Sequence, residues 1–96
     1  MIGKTVLITG AAKRVGRSIA RELHAAGANV VVHYRAAADT ARLLVDEMNA
    51  ARAGSALCVQ ADLLDRDALA SLVEQAVAHF GRLDALVNNA SSFFAT

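Results

Sequence analysis

The chain has 96 residues, an apolar share of 55% and a formal net charge of +1. That length allows one small domain, residues 1–96, and the apolar share excludes a disordered segment. The near-neutral balance excludes a bulk basic field for nucleic acid or an acidic membrane surface, and a lone cysteine, Cys58, excludes an internal disulfide.

Lys4 to Thr9 is the first continuous apolar run and reads as a strand buried on both faces. Its apolar stretch is too short for a secretory leader, no cleavage site follows, and no run reaches the ~20 residues of a membrane span. Next comes Thr9-Gly10-Ala11-Ala12-Lys13-Arg14-Val15-Gly16-Arg17. Gly10 permits a tight turn close to a phosphate, Gly16 permits close packing of the following helix, and free amides at the helix start favour an anion. A Walker-type loop would need a shorter gap and then Gly-Lys-Ser/Thr, so an ATP or GTP loop is excluded. The plain alternative is a glycine-punctuated strand–helix turn.

Val15, Ile19, Leu23 and Ala26 recur at helical spacing, with Gly27 as the stop. The second strand is Asn29 to Tyr34. After it stand His33, Tyr34 and Arg35, where an NAD site places an acid about 20 residues beyond the glycines. Arg35 instead offers a forked donor to a phosphate, so the site reads as NADP-selective. A solvated surface arginine is the alternative.

Ala41, Leu44, Val45 and Met48 mark a second helix ending near Gly54. Ala56 to Gln60 is the third strand, within which Cys58 is expected to be a buried small hydrophobe. Asp62 and Leu63 follow it, as an adenine-binding pair or as a simple turn. The third helix carries Leu69, Leu72, Val73, Ala76, Val77 and Phe80 on one face, with Asp65 as the expected cap and Gly81 as the close. His24 and His79 lack partners at metal or triad spacing, so both are expected on the surface and no metal site is expected.

Ala85 to Asn88 is the fourth strand. Asn88 and Asn89 can tie strand ends together, Ser91 and Ser92 offer hydroxyls, and Phe93 and Phe94 form either a flat ligand wall or a cover for the sheet end. The order β-α-β-α-β-α-β predicts an α/β, doubly wound parallel sheet of Rossmann type, with its ligand at the carboxyl ends of the strands.

Thr9-Gly10 through Gly16, Asp62-Leu63 and Asn88-Asn89-Ala90 together resemble the short-chain dehydrogenase/reductase family over the whole chain. Arg14 in place of a third glycine, and Ser91 in place of the glycine after Asn-Asn-Ala, are similar to its pteridine reductase branch. The resemblance implies an NADPH-dependent oxidoreductase reducing dihydropterins or dihydrofolate. It implies that Gly10, Lys13, Arg14, Val15, Gly16, His33, Tyr34, Arg35, Asp62, Leu63, Asn89, Ala90 and Ser91 hold the cofactor. Arg14, Ser91 and Phe93 would reach the pterin, and the full enzyme would be a homotetramer in a reducing cytoplasm.

The family's Tyr-x-x-x-Lys pair is absent: Tyr34, the only tyrosine, has Ala38 four positions on. No catalytic residue is therefore expected within these 96 residues, which would form the cofactor-binding half of a longer enzyme. The alternatives are a short-chain carbonyl reductase of other specificity and a non-catalytic nucleotide-binding module. A methyltransferase half is disfavoured by the missing acid after the second strand.

Overall fold

A computed structural model describes residues 1–89. Four strands, β1 (Thr5–Thr9), β2 (Asn29–Tyr34), β3 (Ala56–Gln60) and β4 (Ala85–Asn88), alternate with three helices, α1 (Arg14–Ala25), α2 (Ala38–Ala51) and α3 (Ala68–Phe80). All three strand pairings are parallel, in the order β3-β2-β1-β4. This is the doubly wound arrangement that the alternating runs predict. The order reverses direction between β1 and β4, which opens a crevice at their carboxyl ends.

Strand alternation divides the core in two. Val6, Ile8, Val30 and Val32 pack beneath α1 and α2 with Ala20, Leu44 and Met48. Leu7, Val31 and Val59 face the opposite way, against Leu72 and Ala76 of α3. β1 and β2 are covered on both faces, which is why their runs are apolar without a break, whereas β3 is partly buried and β4 mostly exposed. At the far end of β1, Asp84 accepts the Thr5 amide and is clamped by Arg82. Those bonds push the Asp84 carboxyl down to about 2, Arg82 being the larger cause.

Several expectations need correction. The inward face of α1 is Gly16, Ala20 and His24, flanked by Ile19 and Leu23, while Val15 is 64% exposed. The start of the helix lies so close to the turn after β1 that a Cβ at Gly16 would clash, which rotates the buried stripe toward Gly16, Ala20 and His24. Asp65 does not cap α3: its carboxylate accepts the Asp67 amide in a separate turn ahead of the helix. Leu69 and Val77 are more than two-fifths exposed, so the buried stripe of α3 is narrower than its apolar one. Cys58 is only half-buried, because β3 is an edge strand.

His24 is buried rather than on the surface. Its Nε2 meets Ser55 Oγ at 2.6 Å, and the Arg52 guanidinium donates to its carbonyl oxygen at 3.0 Å. Burial first, and the Arg52 charge second, hold its pKa below the ordinary 6.5. A folded value below the unfolded one gives stability that is complete above about pH 6.5 and is lost as pH falls through the folded value. The denaturation midpoint should therefore drop between about pH 7.5 and about pH 5. His24→Gln, which keeps a polar end near Ser55 without titrating, should flatten that drop. An unchanged profile would assign the acid sensitivity to other groups.

Candidate functional site

The site starts where β1 ends. Gly10 has φ 62° and turns the chain back over the sheet, so that Ala11 and Ala12 are buried and Lys13 re-enters in extended conformation. Arg14, the first residue of α1, has φ 52°, and it is the only non-glycine with positive φ among the described residues. A side chain in that region is strained by roughly 1–2 kcal/mol. The turn's geometry thus calls for glycine where the sequence supplies arginine. Arg14→Gly should relieve the strain and lose part of it again to glycine's backbone entropy, a net gain of roughly 0.5–1 kcal/mol. Chemical denaturation would measure it, and a lower midpoint would mean that the arginine's contacts outweigh its strain.

Gly16 sits under this turn rather than in the cleft. A Cβ placed on it would lie 2.5 Å from Asn89 Nδ2 and 2.9 Å from Ala11 Cα, and closer still to the Gly10 carbonyl oxygen. The β4 end is stitched to the same place. Thr9 Oγ1 donates to Asn88 Oδ1 at 3.0 Å and accepts the Asn89 amide at 2.9 Å, while Asn89 Nδ2 donates to the Gly10 carbonyl. The two asparagines tie strand ends together, as their side-chain chemistry predicts.

At the β2 exit His33 is buried, Tyr34 half-buried and Arg35 exposed. The Tyr34 carbonyl accepts the Ala61 amide, and the Arg35 carbonyl accepts Gln60 Nε2, so the β2 and β3 exits are held side by side. Both ion pairs of the described residues, Arg21–Glu47 and Arg82–Asp84, lie elsewhere. Lys13, Arg14 and Arg35 are thus in no ion pair among the described residues. At the β3 exit Asp62 Oδ1 accepts the Leu64 amide at 3.0 Å, which makes a turn and leaves Oδ2 without a hydrogen-bond partner among the described residues. The turn reading and the adenine reading of Asp62 use different oxygens and are compatible.

These exits enclose an open cleft of about 550 Å³. Gly10, Lys13, Arg14 and Val15 line it from the first turn, His33, Tyr34 and Arg35 from the second, Asp62 and Leu63 from the third, and Asn89 from β4. Of the remaining residues singled out in the sequence, Ala90, Ser91, Ser92, Phe93 and Phe94 lie outside the described residues. Ala36, Ala37 and Leu64 also line the cleft without having been singled out. The available signal was the lack of Ser, Thr, Asp or Asn immediately before α2: Ala37 is its N-cap and makes no side-chain bond. The first amides of α2 are left uncapped beside Arg35. Among the described residues no cluster of three His, Cys, Asp or Glu side chains can hold a metal, and no helix is long and apolar enough to cross a membrane.

A cleft lined by Lys13, Arg14 and Arg35, none of them in an ion pair among the described residues, suits an anionic ligand. Comparison with known proteins agrees in kind. The family profile described as short chain dehydrogenase matches residues 4–95. Pteridine reductase 1 of Leishmania tarentolae is 43% identical over 107 residues, covering 94% of this chain and 37% of its own length. Versicolorin reductase of Emericella nidulans is 43% identical over 88 residues, covering 92% and 33%. A 3-oxoacyl-[acyl-carrier-protein] reductase of Staphylococcus aureus is 40% identical over 87 residues, covering 91% and 35%. The chain thus spans about a third of the length of these relatives. With the matched profile, the parallel sheet and the glycine turn at its switch point, the chain belongs to the short-chain dehydrogenase family.

Proposed function

We propose that the chain is the cofactor-binding part of an NADPH-dependent reductase acting on dihydropterins or dihydrofolate. The observation that carries the cofactor half is Arg35. It stands unpaired at the β2 exit, in the same cleft as Lys13 and Arg14, where an NAD site would place an acid. Three fixed or mobile cations suit a ligand with three phosphates, one of them on the adenosine ribose.

NADPH, when bound, supplies the hydride. This chain's residues would hold it: Lys13 and Arg14 at the pyrophosphate, Arg35 at the 2′-phosphate, Asp62 Oδ2 at the adenine amino group. The substrate half of the proposal rests on Arg14 and on the Asn89-Ala90-Ser91-Ser92-Phe93 string, which resemble the pteridine branch, and on the 43% identity to a pteridine reductase. In this reading Ser91 and Phe93 contact the pterin, and the parent assembles as a homotetramer.

Another short-chain carbonyl reductase is the second reading, favoured by the equal 43% identity to versicolorin reductase. Turnover by the protein carrying this chain separates the two. Dihydropterin-dependent NADPH oxidation that falls at least about tenfold in Phe93→Ala supports the pterin reading. Pterin turnover unaffected by that change, or none at all beside reduction of a ketone, would remove it.

A further inference from the structure

His33 is only 2% exposed, and both its ring nitrogens are engaged by backbone. The Gly10 amide donates to Nδ1 at 2.9 Å, and Nε2 lies 2.8 Å from the Ala61 carbonyl oxygen. An amide N–H cannot accept, so Nδ1 is bare; a carbonyl oxygen cannot donate, so Nε2 carries the proton. A single neutral tautomer satisfies both bonds. The Ala11 amide also donates to the carbonyl oxygen of His33, at 3.0 Å.

These bonds connect three strand exits, each of which feeds a different part of the cleft. Gly10 opens the turn after β1, His33 precedes Tyr34 and Arg35, and Ala61 precedes Asp62 and Leu63. β1 and β3 are not neighbours, since β2 lies between them. No ladder hydrogen bond joins their exits directly, and the imidazole of His33 spans the gap. The three residues before it are valines, so the change from aliphatic to imidazole falls where the strands end and backbone groups need partners. An aliphatic side chain there would take the imidazole bond from the Gly10 amide and from the part-buried Ala61 carbonyl.

The geometry points to His33 as a positioning residue, whose neutral imidazole fixes the distance between the turn after β1 and the loop after β3 and thereby sets NADPH affinity. Neither ring nitrogen is left for the cofactor, so its effect is exerted through Gly10 and Ala61. This rests on the NADPH reading above.

Three variants of the protein carrying this chain test it. His33→Asn offers an acceptor near the Nδ1 position and nothing at Nε2. His33→Gln offers a donor near the Nε2 position and nothing at Nδ1. His33→Leu offers neither. The Leu variant should bind NADPH about tenfold or more weakly, with kcat at saturating NADPH within about twofold of wild type. Asn should restore the exchange protection of the Gly10 amide that Leu loses, and Gln should not. In the wild type, imidazole nitrogen NMR should place the proton on Nε2.

Should Leu fail to fold, Asn and Gln decide alone. A weakened affinity for 2′,5′-ADP in Asn and an exposed Gly10 amide in Gln support the assignment, and wild-type behaviour of both overturns it. A proton on Nδ1, or unchanged NADPH affinity across folded variants while the wild type binds, overturns the strut and leaves the cofactor reading intact. A wild type that binds no NADPH while its Nε2 proton is in place removes the cofactor reading, and the affinity role with it.

Discussion

Replacing Arg35 by aspartate is expected to weaken NADPH binding by about 100-fold or more and to change NADH binding by less than about threefold. The estimate combines two effects. A charge-assisted hydrogen bond to phosphate contributes roughly 1.5–3 kcal/mol, and a carboxylate in its place repels the 2′-phosphate at short range. At 1.4 kcal/mol per decade, the first effect alone approaches the lower bound. NADH lacks that phosphate, and its free ribose hydroxyls can donate to the new carboxylate, as they do to the acid of an NAD site. Because Arg35 is exposed and in neither ion pair, the substitution should leave the denaturation midpoint nearly unchanged. Fluorescence titration with both cofactors measures the ratio. Equal losses for the two would return Arg35 to the surface and withdraw the NADP preference.

Gly16→Ala should cost about 3 kcal/mol or more and abolish measurable cofactor binding. Two of the three atoms it would strike are backbone, at Gly10 and Ala11, and cannot rotate away. The third, Asn89 Nδ2, is held by the Gly10 carbonyl oxygen, itself in the path of the new Cβ. The helix must therefore lift, and lifting it moves Lys13 and Arg14 off the cleft. The contrast with Gly54 makes the measurement specific: a Cβ there meets nothing within 4 Å, although its φ of 67° still disfavours a side chain. Urea denaturation of both alanine variants should show the Gly16 loss to be the larger. Gly16 has no positive φ, so comparable losses would mean that the backbone around it yields to the methyl and the close approach costs little.

β1 and β2 were legible in the sequence because burial on both faces leaves no alternation to misread, and β3 and β4 because their short apolar runs are continuous although β4 is mostly exposed. Asn29–Tyr34, Ala56–Gln60 and Ala85–Asn88 are seen at the same limits as their apolar runs. The cleft was legible in outline for a related reason: in a parallel sheet every loop after a strand opens on one side, so ten of the singled-out residues share one cavity. What could not be read depends on distant or backbone partners. His24 looks like a surface histidine until Ser55, 31 positions away, is folded beneath it. His33 resembles its neighbours Tyr34 and Arg35 in being polar, yet its ring serves the backbone of Gly10 and Ala61. The positive φ of Arg14 is invisible in its identity, because arginine is not a residue that announces such a conformation. On α1, helical spacing pointed to Val15, Ile19 and Leu23, while the close approach at the start of the helix placed Gly16 and Ala20 inward, with His24 beyond them.

The stitching of β4 has a consequence for how the domain breathes. Its links to β1, Thr5–Asp84, Thr9–Asn88 and Thr9–Asn89, join positions 79 or 80 apart in sequence. β4 has only four residues, and its register is set by pairs with β1 alone. Detaching it releases the longest closed loop among these hydrogen bonds, and with it the most chain entropy per bond broken. Local opening should therefore run along this seam before it reaches β1–β2, with amide exchange fastest in β4. Asn88 and Asn89 lie on that seam, and Asn89 lines the cleft. A ligand that needs Asn89 in place draws on the closed population alone, so occupancy of the cleft and protection of the seam rise together.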